Sequence, residues 1–232
     1  MSVPTSTFLR RRLERGAPYG LGLTVALAVV ISGVVGFLLV LRSVSDASGL
    51  ARLDGRAHDA LIGAFGRHPD VGLALTWFGN NLTLVTLVIG VTAALLIARR
   101  PDLALRVALA SGGGGIVVVS LKQLFSRQRP VDQLVPADGF SFPSGHAFAS
   151  TVFYTMMVIV VWRLTENRLA RAAAVVVGPL IVAMVGLTRV YLNVHYLTDV
   201  VAGWLAGLAW LALVLAVVRV AEARWRPLAT AR

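Results

Sequence analysis

Long apolar runs alternate with short charged stretches along almost the whole chain. Residues 16–41 and 71–98 contain no charged side chain, and residues 103–121 contain only Arg106, near one end. Three further runs cover residues 146–162, 172–188 and 196–218. A helix crosses the hydrocarbon core of a bilayer with ~20 residues, and ~17 is an acceptable minimum. The pattern therefore predicts an all-α polytopic bundle, a single membrane domain over residues 1–232. Its transmembrane helices are expected at 20–41, 72–98, 103–121, 146–162, 172–188 and 196–218. The fourth and fifth runs sit at the lower length limit, so five spans is the alternative. The third carries four consecutive glycines at 112–115, which let helices approach closely. Arg106 is placed to snorkel to the interface.

Arg10, Arg11, Arg12 and Arg15 precede the first run, as in a signal peptide. The run is longer than a ~7–15-residue signal core and no clear A-x-A site follows it, so a retained anchor is expected. Residues 43–70, after that anchor, place Leu50, Leu53, Ala57, Leu61 and Phe65 at helical spacing, with Arg52, Asp54, Arg56 and Asp59 on other faces. This amphipathic segment either packs its apolar stripe on the bundle or lies in the interface and guides a lipid. His58 and His68 within it read as surface or packing residues. Asn80 and Asn81 read as helix–helix polar contacts, or as part of a pocket lining.

Composition agrees with a membrane protein: 57% of residues are apolar, 14% are charged, and the mean hydropathy is +0.78. The absence of cysteine excludes disulfides and thiolate chemistry. A net charge of +11 raises nucleic acid as a partner, but the basic residues lie between apolar runs rather than on one soluble face. The positive-inside rule uses them instead. With the N-terminus inside, thirteen arginines fall on the inner side, including those in the tails 1–19 and 219–232. Eight cations fall outside: Arg42, Arg52, Arg56, Arg67, Lys122, Arg127, Arg129 and Arg189. Both termini are thus expected in the cytoplasm of an inner membrane.

Three clusters on the outer side carry candidate chemistry. Lys122 and Arg129, seven residues apart and followed by Pro130, lie within ~20° of one face if the helix continues. Two cations there suit a phosphate, or lipid headgroups without specificity. Next, Pro143-Ser144-Gly145-His146 reads as a helix entry with Ser144 as N-cap. Free N–H groups at such a helix start cradle an anion, and His146 is placed to protonate a leaving oxygen; the plainer reading is a capped helix beside an interfacial histidine. Last, Thr188-Arg189 is followed by His195 and Asp199, one helical turn apart. A carboxylate on one ring nitrogen fixes the tautomer and frees the other nitrogen to attack, unless the pair is purely structural.

Taken together, K-x6-R-P, P-S-G-H and S/T-R-x5-H-x3-D resemble the signature of the type 2 phosphatidic acid phosphatase family. The matching residues are Lys122, Arg129 and Pro130; Pro143, Ser144, Gly145 and His146; Thr188, Arg189, His195 and Asp199. The motifs cover residues 122–199, and Thr188 stands where serine is commoner. The resemblance implies a membrane lipid phosphatase that needs no metal or cofactor. It implies His195 as the nucleophile that becomes phosphohistidine, Asp199 as its orienting partner and His146 as the acid. Lys122, Arg129, Ser144, Gly145 and Arg189 would bind the phosphoryl oxygens. The expected partner is a lipid phosphate in the bilayer, such as undecaprenyl diphosphate, phosphatidylglycerol phosphate or phosphatidic acid, with a leaning toward a polyprenyl diphosphate or a broad specificity for lipid phosphates. Rival readings are a lipid-to-lipid phosphotransferase and a non-catalytic scaffold or transporter. Vanadium haloperoxidases share the cradle but are soluble.

Overall fold

The computed structural model describes residues 20–229, with side chains as far as Arg224. The arginine-bearing tail at 1–19 and the end of the other tail lie outside the described residues. Six helices are long and apolar enough to cross a membrane, and no strand occurs among the described residues. In chain order they are α1 (Leu21–Ser45), the broken second span, α5 (Pro101–Phe125), α6 (Gly145–Leu164), α7 (Arg168–Tyr191) and α8 (Leu197–Ala229). The second span is built from α3 (Pro69–Thr76), a 3-10 turn (Trp77–Gly79) and α4 (Asn81–Ile97). Asn80 is extended, and its side chain accepts the Leu82 N–H at 2.9 Å. Its role is therefore to restart a helix, not to join two of them. Between α1 and α3 lie a 3-10 helix (Gly49–Leu53) and α2 (Asp54–Phe65).

Local signals account for most helix starts. Pro101 opens α5 in a position where its missing N–H costs nothing. Asn167 caps α7 through the N–H groups of Leu169 and Ala170. Close approach of backbones sets the packing. A Cβ on Gly203 would lie 2.7 Å from the Ser144 carbonyl oxygen, and one on Gly207 2.9 Å from that of Phe148, so α8 meets α6 backbone to backbone. Gly33 of α1 approaches the Leu205 carbonyl as closely, which joins α1 to α8. Of the four glycines at 112–115, Gly113 and Gly114 receive the Trp210 indole and the Phe148 ring, while the other two face open space. Trp210 Nε1 donates to the Ala110 carbonyl at 2.8 Å. Around this contact Leu103, Val107, Phe148, Val152 and Met156 form the main core.

Two expectations change. Arg106 does not snorkel: its guanidinium donates to both Glu222 carboxylate oxygens at 2.7 and 2.8 Å, joining α5 to α8. An arginine inside a span is cheap only when so paired. The stripe of residues 43–70 is also only partly used. Ala57 and Leu61 pack against Ala147, Val190 and Val200, whereas Leu50, Leu53 and Phe65 are exposed. His58 Nδ1 lies 3.1 Å from the Val190 carbonyl, which makes it a packing residue.

Candidate active site

The C-terminal ends of α5 and α7 and the N-terminal ends of α6 and α8 meet at one end of the bundle. There the three motif clusters come together, although two arrive differently from what helical spacing predicts. α5 ends at Phe125, because Ser126 adopts a left-handed conformation (φ 46°) that no continuing helix allows. Lys122 therefore comes from the last turn of α5, and Arg129 from the loop beyond it. Lys122 Nζ donates to the Phe140 carbonyl at 2.5 Å. Arg129 is held by the carbonyls of Asp138 (3.0 Å), Gly139 (3.0 Å) and Val194 (2.6 Å). Such a net of carbonyls fixes the plane of the guanidinium.

His195 lies in the link between α7 and α8, and Asp199 in the first turn of α8. The pair nevertheless forms: Nδ1 of His195 is 3.3 Å from Oδ2 of Asp199, both groups being buried. Oδ2 also accepts the Tyr196 N–H at 3.0 Å, so the carboxylate caps its own helix while facing the ring. With the proton on Nδ1, the Nε2 lone pair is free, and Arg129 Nη1 lies 3.2 Å from it. The geometry sets an unprotonated ring nitrogen directly against a guanidinium fork, whose planar donors match the oxygens of an oxyanion.

Ser144 caps α6, its oxygen accepting the Ala147 N–H at 3.5 Å, and its own N–H donates to the Asp199 carbonyl at 2.9 Å. The expected cap is present, and it ties the starts of α6 and α8 together. His146 is half-buried in the first turn of α6, with no hydrogen-bond partner among the described residues. A Cβ on Gly145 would touch only Lys122 Cε, at 3.6 Å. Gly145→Ala should therefore fold normally, yet place a methyl beside the ammonium where phosphate would sit. A rise of about tenfold in KM, with kcat changed less, is expected in steady-state kinetics. Arg189 is buried at the end of α7; Nη1 donates to Thr76 Oγ1 at 3.2 Å, and its buried Nε has no protein partner among the described residues.

Three residues that helical spacing did not single out complete the site. Arg127 donates to Asp199 Oδ1 at 2.6 Å and to Asp54 Oδ2 at 3.0 Å. Asp54, the first residue of α2, also accepts the N–H and hydroxyl of Thr198, each at 2.9 Å. No local pattern marks these contacts, since Asp54 is 73 positions from Arg127 and 144 from Thr198.

Electrostatics favour a neutral ring. Burial pushes His195 down to about 4, against the opposing pull of Asp199, and Arg129 and Lys122 push the same way as burial. A group whose pKa is lowered in the fold is uncharged above that value, so His195 is a free base at neutral pH. Ring 15N NMR should show it protonating near pH 4; a midpoint in the ordinary range of about 6.5 would mean an exposed ring.

Known proteins resemble this chain in sequence and in fold. A family model described as the PAP2 superfamily matches residues 103–222. Phosphatidylglycerophosphatase B of Bacillus subtilis (strain 168) is 31% identical over 177 residues, covering 74% of this chain and 86% of its own. The crystal structure of a transmembrane PAP2 type phosphatidylglycerolphosphate phosphatase from Bacillus subtilis superposes with a TM-score of 0.71 at 26% identity, over 80% of this chain and 94% of that one. Aquifex aeolicus LpxE superposes with a TM-score of 0.55, also at 26% identity, over 70% of this chain and 94% of its own. With the matched region containing all three clusters and the helices that carry them, the chain belongs to the PAP2 superfamily, among its multi-pass membrane lipid phosphatases.

Proposed function

We propose that this protein hydrolyses the phosphomonoester of a glycerophospholipid phosphate at the outer face of the inner membrane, through a phosphohistidine on His195. The observation that carries the reading is the placement of His195 between Asp199 on Nδ1 and Arg129 on Nε2. Phosphoryl oxygens take over the Arg129, Lys122 and Arg189 donors and the N–H groups at the start of α6. The Nε2 lone pair then attacks phosphorus as the ester P–O bond breaks, and His146 delivers a proton to the leaving oxygen. In the second half-reaction water attacks phosphorus, the N–P bond breaks, and His146 takes the proton back. Three fixed cations and a helix start hold charge that grows on the phosphoryl group.

Phosphatidylglycerol phosphate is the proposed substrate, because the Bacillus relative and the structural neighbour are both named for it. The leaning toward a polyprenyl diphosphate or a broad specificity rested on an outward-facing site and remains the alternative that the assay below separates. The test is phosphate release by purified protein, in EDTA, from phosphatidylglycerol phosphate, phosphatidic acid and undecaprenyl mono- and diphosphate. Release with phosphatidylglycerol phosphate leading in kcat/KM supports the reading; a clear lead for undecaprenyl diphosphate overturns the substrate. No release until a lipid alcohol is added would make the protein a transferase.

A further inference from the structure

Asp199 is held on two sides. Oδ2 faces His195 and the Tyr196 N–H, while Oδ1 takes Arg127 Nη1 at 2.6 Å. The same Nη1 reaches Thr198 Oγ1 at 2.7 Å, and Nη2 reaches Asp54. The ring of Tyr196 lies 4.0 Å beneath the guanidinium. One arginine fork therefore spans two carboxylates that are 7% and 0% exposed. Buried carboxylates without a counter-charge are expensive, and a lysine offers one point where this fork offers two edges.

Resting on the phosphatase reading above, we infer that Arg127 and Asp54 are positioning residues for hydrolysis: Arg127 fixes the rotation of Asp199 toward His195, and Asp54 fixes Arg127 while anchoring α2 to the start of α8. The segment after the first span thus reaches the chemistry through one buried carboxylate rather than through its apolar stripe. Neither residue touches substrate, so the clamp of Lys122, Arg129 and Arg189 stays whole when they are changed.

The test compares Arg127→Gln, Arg127→Lys and Asp54→Asn with wild type in steady-state kinetics and in ring 15N titration of His195. The charges facing that ring are Asp199 on one side and Arg129 and Lys122 on the other. Arg127→Gln is expected to lower kcat about 10–100-fold with KM within about twofold. It should also raise the His195 midpoint, because the Asp199 charge is no longer shared. Arg127→Lys should return the midpoint toward wild type but recover only part of kcat. An Arg127→Gln enzyme with wild-type kcat, or with a lower kcat and an unmoved midpoint, overturns the inference. If that variant does not fold, Asp54→Asn, which keeps the shape and hydrogen bonds at Thr198, must show the same kcat loss at constant KM; wild-type turnover there overturns it. A wild type inactive on every lipid, with the midpoint still moving, would sink the phosphatase reading while supporting the coupling.

A second observation lies at the opposite end of the bundle, about 16 residues or ~24 Å along α5 from Lys122. A cavity of about 630 Å³ opens there between α1, α5, α6 and α8. Its lining includes the apolar Val25, Val29 and Leu215 and the charged Arg106, Arg163, Arg219 and Glu222. Arg106 is committed to Glu222, while Arg163 is exposed with no partner among the described residues. Arg219 lies across Gly22. Among the described lining residues the cavity carries excess positive charge, three arginines to one glutamate. We propose that this cavity binds an anionic phospholipid of the leaflet opposite the catalytic end, its phosphate at Arg163 and Arg219 and a chain along Val25 and Leu215.

Thermal unfolding in detergent, in an Arg129→Ala background that disables the catalytic clamp, tests it with phosphatidylglycerol and phosphatidylcholine of equal chains. Phosphatidylglycerol is expected to raise Tm by several degrees more than phosphatidylcholine, as for any ligand of the folded state alone. Arg163→Gln with Arg219→Gln should erase the difference, and Arg163→Gln by itself should shrink it if the double variant does not fold. Equal stabilisation by both lipids, or a difference that survives these substitutions, overturns the proposal.

Discussion

Alanine at His195 is expected to stop phosphate release, lowering kcat by about 10³-fold or more, as when a covalent nucleophile is removed. The ring is 2% exposed, so its loss leaves a small cavity, yet nothing charged is stranded by it. Asp199 keeps Arg127 and the Tyr196 N–H, and Arg129 keeps the Val194 carbonyl. The variant should therefore remain folded in detergent and still bind vanadate, whose oxygens meet the same cations. Two measurements decide: phosphate release, and trapping of a phosphorylated protein from labelled lipid by an alkaline detergent quench. Wild type should yield a base-stable, acid-labile phosphoenzyme and the variant none. Activity within tenfold of wild type would remove His195 as the nucleophile, whatever the geometry suggests.

Asp199→Asn should be almost as damaging, with kcat lower by about 10²–10⁴-fold. The substitution keeps size and shape, so the effect isolates the proton. An amide facing Nδ1 can donate, which favours the tautomer with the proton on Nε2. That proton would then point at Arg129 Nη1, donor against donor, where wild type presents a lone pair at 3.2 Å. Arg127 would also lose a charged partner at 2.6 Å. Because the clamp is untouched, KM and the vanadate inhibition constant should stay within a few-fold, and the loss should fall on kcat. A loss spread equally over kcat and KM would assign Asp199 to binding instead of to the ring.

What could be read from the sequence follows from how local each signal is. Apolar length is a property of consecutive residues, and it located the spans; the break at Asn80 escaped because a Gly-Asn pair inside an apolar run changes hydropathy little. The motif residues were found by spacing, and the structure brings them to one end of the bundle. Spacing was a poorer guide to how they get there. Lys122 and Arg129 share no helical face, because Ser126 turns the chain out of α5, and Arg129 comes back along a loop. Arg106 read as a snorkelling residue because its partner, Glu222, is 116 positions away. Asp54 and Arg127 looked like ordinary outer charges for the same reason. Their partners become neighbours only after α2 has docked on α8, a contact no window of the sequence contains.

The closeness of α1 to α8 has a consequence for how the protein is made. The backbones meet at Gly33 and Leu205, so helices far apart in the chain become adjacent only when α8 is in place. The same helix carries Asp199 and, through its carbonyl, holds the Ser144 N–H at the mouth of α6. A chain with five spans inserted therefore lacks both Asp199, which faces the His195 ring, and the carbonyl that holds the Ser144 N–H. On the function proposed above, hydrolysis is expected only once α8 has been inserted.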